Sequence, residues 1–279
     1  MSQNFNFDSL KNILLKRSDA SHKGHNGRVL IFAGSKGMGG AGILSSEASL
    51  YCGSGLVTLL TDQSNIKGSL SRNPEVMAVS ENSLDDVKKY FQDKDIFLCG
   101  PGLENNSWSK EVLLQILNKA DLKSKIILDA GALHIIKFKS IAFNNSTILT
   151  PHPGEAASLL NISVDDVQSD RITAVKDIAT KYGTSVVILK GHQSIIHDSN
   201  QGITHICNEG GPELATGGTG DVLSGVLSAL LAQGMSEVDA SLLAVASHAR
   251  AGIIFKEKIG EIGLNASSLV PIIRKLINQ

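Results

Sequence analysis

The sequence predicts an α/β fold: a mostly parallel central sheet with helices on both faces, in a single domain spanning residues 1-279. Three observations carry this. Short uncharged runs rich in Val, Ile and Leu alternate with helical stretches, the order that gives a parallel sheet covered on both sides. Most of these runs end directly in glycine, an acid, histidine or lysine, and ligands of open α/β sheets bind beyond the carboxyl ends of the strands. Residues 222–233 contain no charged residue. A helix there must be buried, and about a dozen residues are too few to span a bilayer.

Composition narrows the class. The chain has 279 residues, 42% of them hydrophobic, enough to bury a sizeable core. Lys and Arg number 26 against 27 Asp and Glu, a net charge of -1, so no charge-driven affinity for nucleic acid or membrane is expected. The first residues show no apolar segment of the secretory type, and no run of membrane-spanning length stands out. Cys52, Cys99 and Cys207 are far apart in apolar surroundings. They read as buried thiols of a reducing, cytoplasmic compartment, not as a metal site or a disulfide framework.

The elements follow in order. Residues 7–17 read as a short amphipathic helix and 21–27 as a polar loop. Residues 28–33 form a buried strand, and the glycine-rich turn 34–42 opens a helix to about Cys52. Residues 56–61 are the next strand, and Asn73-Pro74-Glu75-Val76-Met77 lies in a connecting loop. Strands at 95–99, 125–128 and 147–150 lead into Gly100-Pro101-Gly102, Asp129-Ala130-Gly131 and Pro151-His152-Pro153-Gly154-Glu155. One long helix covers 164–182. The strand 186–189 ends in Lys190-Gly191-His192-Gln193-Ser194, and 194–197 pairs with 203–206 as a hairpin. Helices at 236–257 and 265–277 close the chain.

The stretch Gly217-Gly218-Thr219-Gly220-Asp221 stands out. Val222, Leu223, Val226, Leu227, Leu230 and Leu231 recur at helical spacing behind it, and Ser224, Gly225, Ser228, Ala229 and Ala232 fill the other face. A glycine turn feeding a buried helix presents free N–H groups and a positive dipole end, which suits a phosphate. Asp221 enters the first turn, where the dipole favours the ionised carboxylate, and a carboxylate beside phosphate-binding amides can deprotonate an attacking hydroxyl. The plainer alternative is that Thr219 or Asp221 caps the helix. The other segments carry paired readings too. Asp129 is a helix cap or a metal or substrate contact. His152, held between two prolines, is structural or a ligand contact. Glu155 is a first-turn acid or holds Mg2+ through water. Lys190 is solvated or touches a nucleotide. Gly37, Gly39 and Gly42 with Asp62 satisfy the dinucleotide fingerprint of an NAD-dependent oxidoreductase, although the turn is longer than usual. A P-loop fails, since no Lys-Ser/Thr pair follows Gly39 or Gly40.

Taken together, these segments resemble a known family. The GGTGD turn with its buried helix resembles the anion hole of the ribokinase-like superfamily. His22-Lys23-Gly24, Gly34-Ser35 with Met38, Gly40 and Ala41, Pro74-Glu75-Val76-Met77, Gly100-Pro101-Gly102, Asp129-Ala130-Gly131-Ala132-Leu133, Thr150-Pro151-His152-Pro153-Gly154-Glu155 and Leu189-Lys190-Gly191 resemble its ADP/ATP-dependent NAD(P)H-hydrate dehydratase branch, over residues 20–255. Gly39 stands where that family usually has proline, and Gly211 where it usually has asparagine. The resemblance implies a ribokinase-like three-layer sandwich, Mg2+, ADP or ATP as co-substrate, and (S)-form hydrated NADH or NADPH as substrate. By residue match, Ala41, Gly102, His152 and Asp221 would contact the hydrate. Lys190, Gly191, His192, Gln193, Ser194 and Gly220 would contact the nucleotide. Asp221, Gly218, Thr219 and Gly220 would carry catalysis. It also implies a homotetramer working with a separate epimerase. The rival readings are a kinase of a small alcohol or vitamin precursor, the oxidoreductase, and a nucleotide-sensing protein.

Overall fold

The computed structural model describes residues 2–137, 143 and 146–279. Among them, ten strands form one sheet: β1 (Ser2–Phe5), β2 (Arg28–Phe32), β3 (Leu56–Leu60), β4 (Met77–Val79), β5 (Ile96–Cys99), β6 (Lys125–Leu128), β7 (Thr147–Leu149), β8 (Val186–Leu189), β9 (Ile195–Asp198) and β10 (Ile203–Cys207), in the order β1-β10-β9-β8-β7-β6-β5-β2-β3-β4. Neighbours from β4 to β8 are parallel. Strand β9 is antiparallel to β8 and β10, and β1 pairs parallel with β10.

The strand sequences look continuously apolar because both faces are covered. In β2, Val29 and Ile31 join one core while Leu30 and Phe32 join the other, the period-2 alternation of a strand. The first core lies under α1 (Gly39–Tyr51), α9 (Thr219–Ala232), α10 (Glu237–Lys258) and α11 (Leu269–Leu276). The second lies under α3 (Leu84–Lys88), α4 (Ser107–Lys119), α5 (Gly131–Ile136), α6 (Pro153–Leu160), α7 (Val164–Ser169) and α8 (Arg171–Tyr182). The short α2 (Ile66–Arg72) precedes β4. The three-layer expectation holds. Helix α10 is long and apolar enough to cross a membrane, but 72% of its apolar window is buried inside the protein.

Several expectations change. Residues 7–17 form only a 3-10 turn, Asp8–Ile13. The long helix at 164–182 is two, because Asp170 leaves helical geometry and its carboxylate accepts from Thr173 N to start α8 afresh. Met77 begins a strand instead of ending a loop. Strand β1 escapes the sequence pattern because three of its four residues are exposed at a sheet edge.

Helix α9 is almost wholly buried, as its lack of charge demands. It lies so close to α1 that a Cβ on Gly225 would come within 2.3 Å of Ser45 O and 2.8 Å of Ala48 Cβ. Ser228 Oγ donates to Ser49 Oγ across the contact at 2.9 Å. The small-residue face of α1 is therefore covered within the chain by α9. Gly225→Ala should gain about 1 kcal/mol of helix propensity yet lose more through overpacking, about 1–3 kcal/mol. A lower urea midpoint with unchanged slope is the expected result.

Candidate active site

Three neighbouring parallel strands deliver the charged centre. Asp129 follows β6, His152 and Glu155 follow β7, and Lys190 follows β8. Lys190 Nζ is 2.7 Å from Asp129 Oδ1 and 3.8 Å from Glu155 Oε2. Both carboxylates are buried. Burial opposes the charge on Lys190, but Asp129, Glu155 and Asp221 outweigh it and hold the ammonium above the usual lysine range. Asp129 caps no helix: α5 has no side-chain cap, and Oδ1 instead accepts from Ala130 N at 3.0 Å. Ala130 itself sits at φ 45°, a strained position for a residue with a Cβ. Gly100 is required here, since a Cβ on it would lie 1.6 Å from Asp129 O.

His152 and Glu155 form a capping box at the start of α6. His152 Nδ1 accepts from Gly154 N and Glu155 N at 3.0 and 3.3 Å, and His152 N donates to Glu155 Oε2 at 2.7 Å. With Nδ1 accepting, the ring proton belongs on Nε2, 3.4 Å from Glu155 Oε1. Glu155 thus serves as a first-turn acid and a partner of Lys190 at once.

The glycine turn enters from the other side. Gly218 has φ 91° and precedes α9, which has no side-chain cap. The capping alternative fails: Thr219 Oγ1 donates to Leu214 O and Thr216 O at 3.1 and 3.0 Å. His248 on α10 holds the turn through Nε2, 3.0 Å from Thr219 O. Burial pushes this imidazole down to about 4, so it is neutral at pH 7 and donates. The Lys190 ammonium reaches the turn, lying 3.5 Å from where a Cβ on Gly220 would stand. Asp221 differs from the dipole expectation. Burial and the charge of Asp129, with Glu155 adding and Lys190 opposing, push its carboxyl up to about 7.

The turn 34–42 joins this centre. Gly34 N donates to Pro101 O and Ser35 N to Gly102 O, both at 2.8 Å, tying the loops after β2 and β5 at the point where strand order reverses. A Cβ on Gly102 would stand 2.9 Å from Ala41 Cβ, and one on Gly218 would stand 2.7 Å from Leu44 Cδ1. Ala41, Gly102, the turn 217–221, Lys190, Asp129, Glu155 and His152 therefore line one connected edge. His192, Gln193 and Ser194 extend it past Lys190, with Ser194 Oγ donating to Gly191 O at 3.2 Å. A cavity of about 260 Å³ adjoins the turn 34–36, walled by Asp62, Glu104 and Trp108.

Other motifs stand apart. Asp62 caps a short 3-10 helix through Ser64 N, so the dinucleotide fingerprint is a turn with a cap. His22, Lys23 and Gly24 precede β2, and Pro74 to Val76 precede β4, at the opposite edge of the sheet. Gly39 and Gly211 each leave room for a neighbour: added Cβ atoms would lie 2.2 Å from Asn65 Oδ1 and 2.6 Å from Glu213 Oε2. Sequence reasoning missed His248 and Arg171. The first is a lone histidine in an apolar helix pattern, and the second was hidden inside what read as one long helix.

Sheet order, two helical layers and a glycine turn ahead of a buried acid-bearing helix define a ribokinase-like α/β fold. The model of the NAD(P)H-hydrate dehydratase family matches residues 29–275, and the chain belongs to that family. The ADP-dependent (S)-NAD(P)H-hydrate dehydratase of Neisseria meningitidis is 35% identical over 94% of this chain and 89% of its own. The structure of ADP/ATP-dependent NAD(P)H-hydrate dehydratase from Bacillus subtilis, co-crystallised with ATP/Mg2+, superposes with a TM-score of 0.89 at 28% identity, covering 98% of this chain and 97% of its own. The bifunctional NAD(P)H-hydrate repair enzyme of Escherichia coli is 35% identical over 99% of this chain but only 52% of its own. The chain thus spans about half the length of the first curated relatives it matches.

The raised Asp221 carboxyl has a stability consequence. Between pH 3.8 and about 7 the folded protein keeps a proton that the unfolded chain has lost, so this group's contribution to stability falls as pH rises through that window. Asp221→Asn removes the slope. Thermal melts of ligand-free protein should show the variant above wild type at about pH 8, with the gap closing as pH falls toward about 4.

Proposed function

We propose that the protein dehydrates the (S)-form hydrate of NADH or NADPH back to the reduced dinucleotide, using ADP or ATP, as a nicotinamide-nucleotide repair enzyme. The observation that carries this is Asp221, free of any capping role, in the first turn of α9 beside the Lys190 ammonium. Residues 1-279 act as one catalytic domain, a reading favoured by the single sheet. The hydrate's ring hydroxyl sits at Asp221, against Ala41, Gly102 and His152. The nucleotide lies along Lys190, Gly191, His192, Gln193, Ser194 and Gly220.

Asp221 takes the hydroxyl proton as the oxygen attacks the terminal phosphorus, and the bond from that phosphorus to its bridging oxygen breaks. The N–H groups of Gly218, Thr219 and Gly220 and the Lys190 ammonium stabilise charge on the transferring group. The ring nitrogen's lone pair expels phosphate, and loss of a proton from the adjacent carbon restores the double bond. An acid with a carboxyl near 7 is matched to a proton transfer at neutral pH. No group of three or more metal-ligating side chains occurs among the described residues. Glu155 and Asp129 are the carboxylates that would hold Mg2+ beside the nucleotide phosphates. Bound there, it would neutralise phosphate charge.

Three buried free thiols favour a reducing, cytoplasmic setting. The bifunctional repair enzymes among its relatives favour an epimerase of the hydrate as functional partner. Exposed Met38, Leu70, Met77, Ile259 and Ile262 favour a homotetramer. Light scattering at micromolar concentration should give four times the chain mass, and a monomer would refute the assembly.

Asp221→Asn tests the chemistry. Turnover of hydrated NADH with Mg2+ and ADP or ATP, followed as regenerated NADH absorbance, should fall by about two to four orders of magnitude. Nucleotide affinity should change little. Near-normal turnover in the folded variant would move the base elsewhere, and a stable phosphorylated product from wild type would make the enzyme a kinase.

A further inference from the structure

Arg171 begins α8, beneath the loop that follows β8. Its guanidinium donates only to backbone carbonyls of that loop. Nη1 bonds His192 O and, at 3.2 Å, Gln193 O; Nη2 lies 3.4 Å from both Leu189 O and Lys190 O. No carboxylate pairs with it among the described residues.

The loop needs such a tether. Gly191 has φ 133° and Gln193 φ 54°, and a residue with a Cβ holds a left-handed conformation only where its surroundings enforce it. A side chain at 191 would also crowd the tether, because a Cβ there would stand 3.3 Å from Arg171 Nη2.

The peptide geometry then decides where the donors go. All peptide bonds in the described chain are trans. In a trans peptide, the C=O of one residue and the N–H of the next point opposite ways. Four carbonyls drawn toward Arg171 therefore turn the N–H groups of Lys190, Gly191, Gln193 and Ser194 away from it. Lys190 N is taken by Pro151 O at 2.8 Å. The N–H groups of Gly191 and Gln193 then lie on the side of the loop away from Arg171, and outward backbone amides favour an anion.

We propose that Arg171 is a positioning residue that fixes the 190–194 loop, with its outward amides, for a phosphate group of the bound nucleotide. The proposal rests on the reading of residues 190–194 as a nucleotide site. A planar fork can reach several carbonyls at once, whereas an ammonium acts as a point charge.

Wild type, Arg171→Ala and Arg171→Lys are compared by three measurements: calorimetric affinity for ADP and ATP with Mg2+, steady-state kinetics, and amide hydrogen exchange. Arg171→Ala should weaken nucleotide binding by about tenfold or more, the scale of losing charge-assisted hydrogen bonds. Its kcat at saturation should stay within about threefold, with KM for hydrated NADH unchanged. Exchange should quicken in 190–194 and not across the sheet. Arg171→Lys should recover only part of the affinity. Wild-type affinity and loop exchange in Arg171→Ala would overturn the proposal, as would full recovery by Lys or faster exchange throughout the chain. If wild type itself binds no adenine nucleotide, the nucleotide-site reading fails, and loop exchange in Arg171→Ala still decides whether Arg171 holds the loop.

Discussion

One partly buried ammonium faces three carboxyl groups, and the rest of the site is arranged around that imbalance. Lys190 is close enough to pair with Asp129 and Glu155, and the field of Asp221 reaches it as well. One cation cannot neutralise three acids in a desolvated cleft, and burial together with the charge of Asp129 pushes the Asp221 carboxyl up to about 7. The sheet itself sets the spacing. Strands β6, β7 and β8 are adjacent and parallel, about 4.8 Å apart, and each supplies one member of the cluster at its carboxyl end.

Close backbone approach supplies the second half of the design. Gly100 lets the chain after β5 touch Asp129 O, Gly218 lets the glycine turn settle against Leu44, and Gly225 lets α9 sink onto α1. Helix α9 arrives from the opposite layer to the strand ends that carry the acids. Its position decides how near Asp221 stands to Lys190. Packing in the core and geometry in the cleft are thus the same constraint seen at two ends of one helix.

Most of the sheet and most of the cleft could be read from sequence. Buried strands write themselves as short apolar runs, and six of the ten strands were visible with their loaded carboxyl ends. The hairpin was visible too. What escaped was local and lightly patterned. Strand β1 is polar because it lies exposed at an edge. The break at Asp170 is a side-chain cap inside an unbroken helical periodicity. The protonation of Asp221 depends on acids 66 to 92 residues away in sequence, which no dipole at its own helix end reveals. The role of His248 likewise exists only once α10 packs beside the turn.

Strand β1 has a bearing on how the chain is assembled. Ser2 to Phe5 lie parallel to Thr204 to Cys207, and Asn208 N closes onto Phe5 O at 2.9 Å. During synthesis the first residues emerge long before their partners exist, so this strand must wait, unpaired, until nearly three quarters of the chain has been made. Its polar makeup suits that wait: an apolar segment left idle beside the ribosome would invite pairing with the wrong edge. The outer border of the sheet thus closes on a pairing of long separation along the chain, the kind whose loop closure is slowest to be repaid.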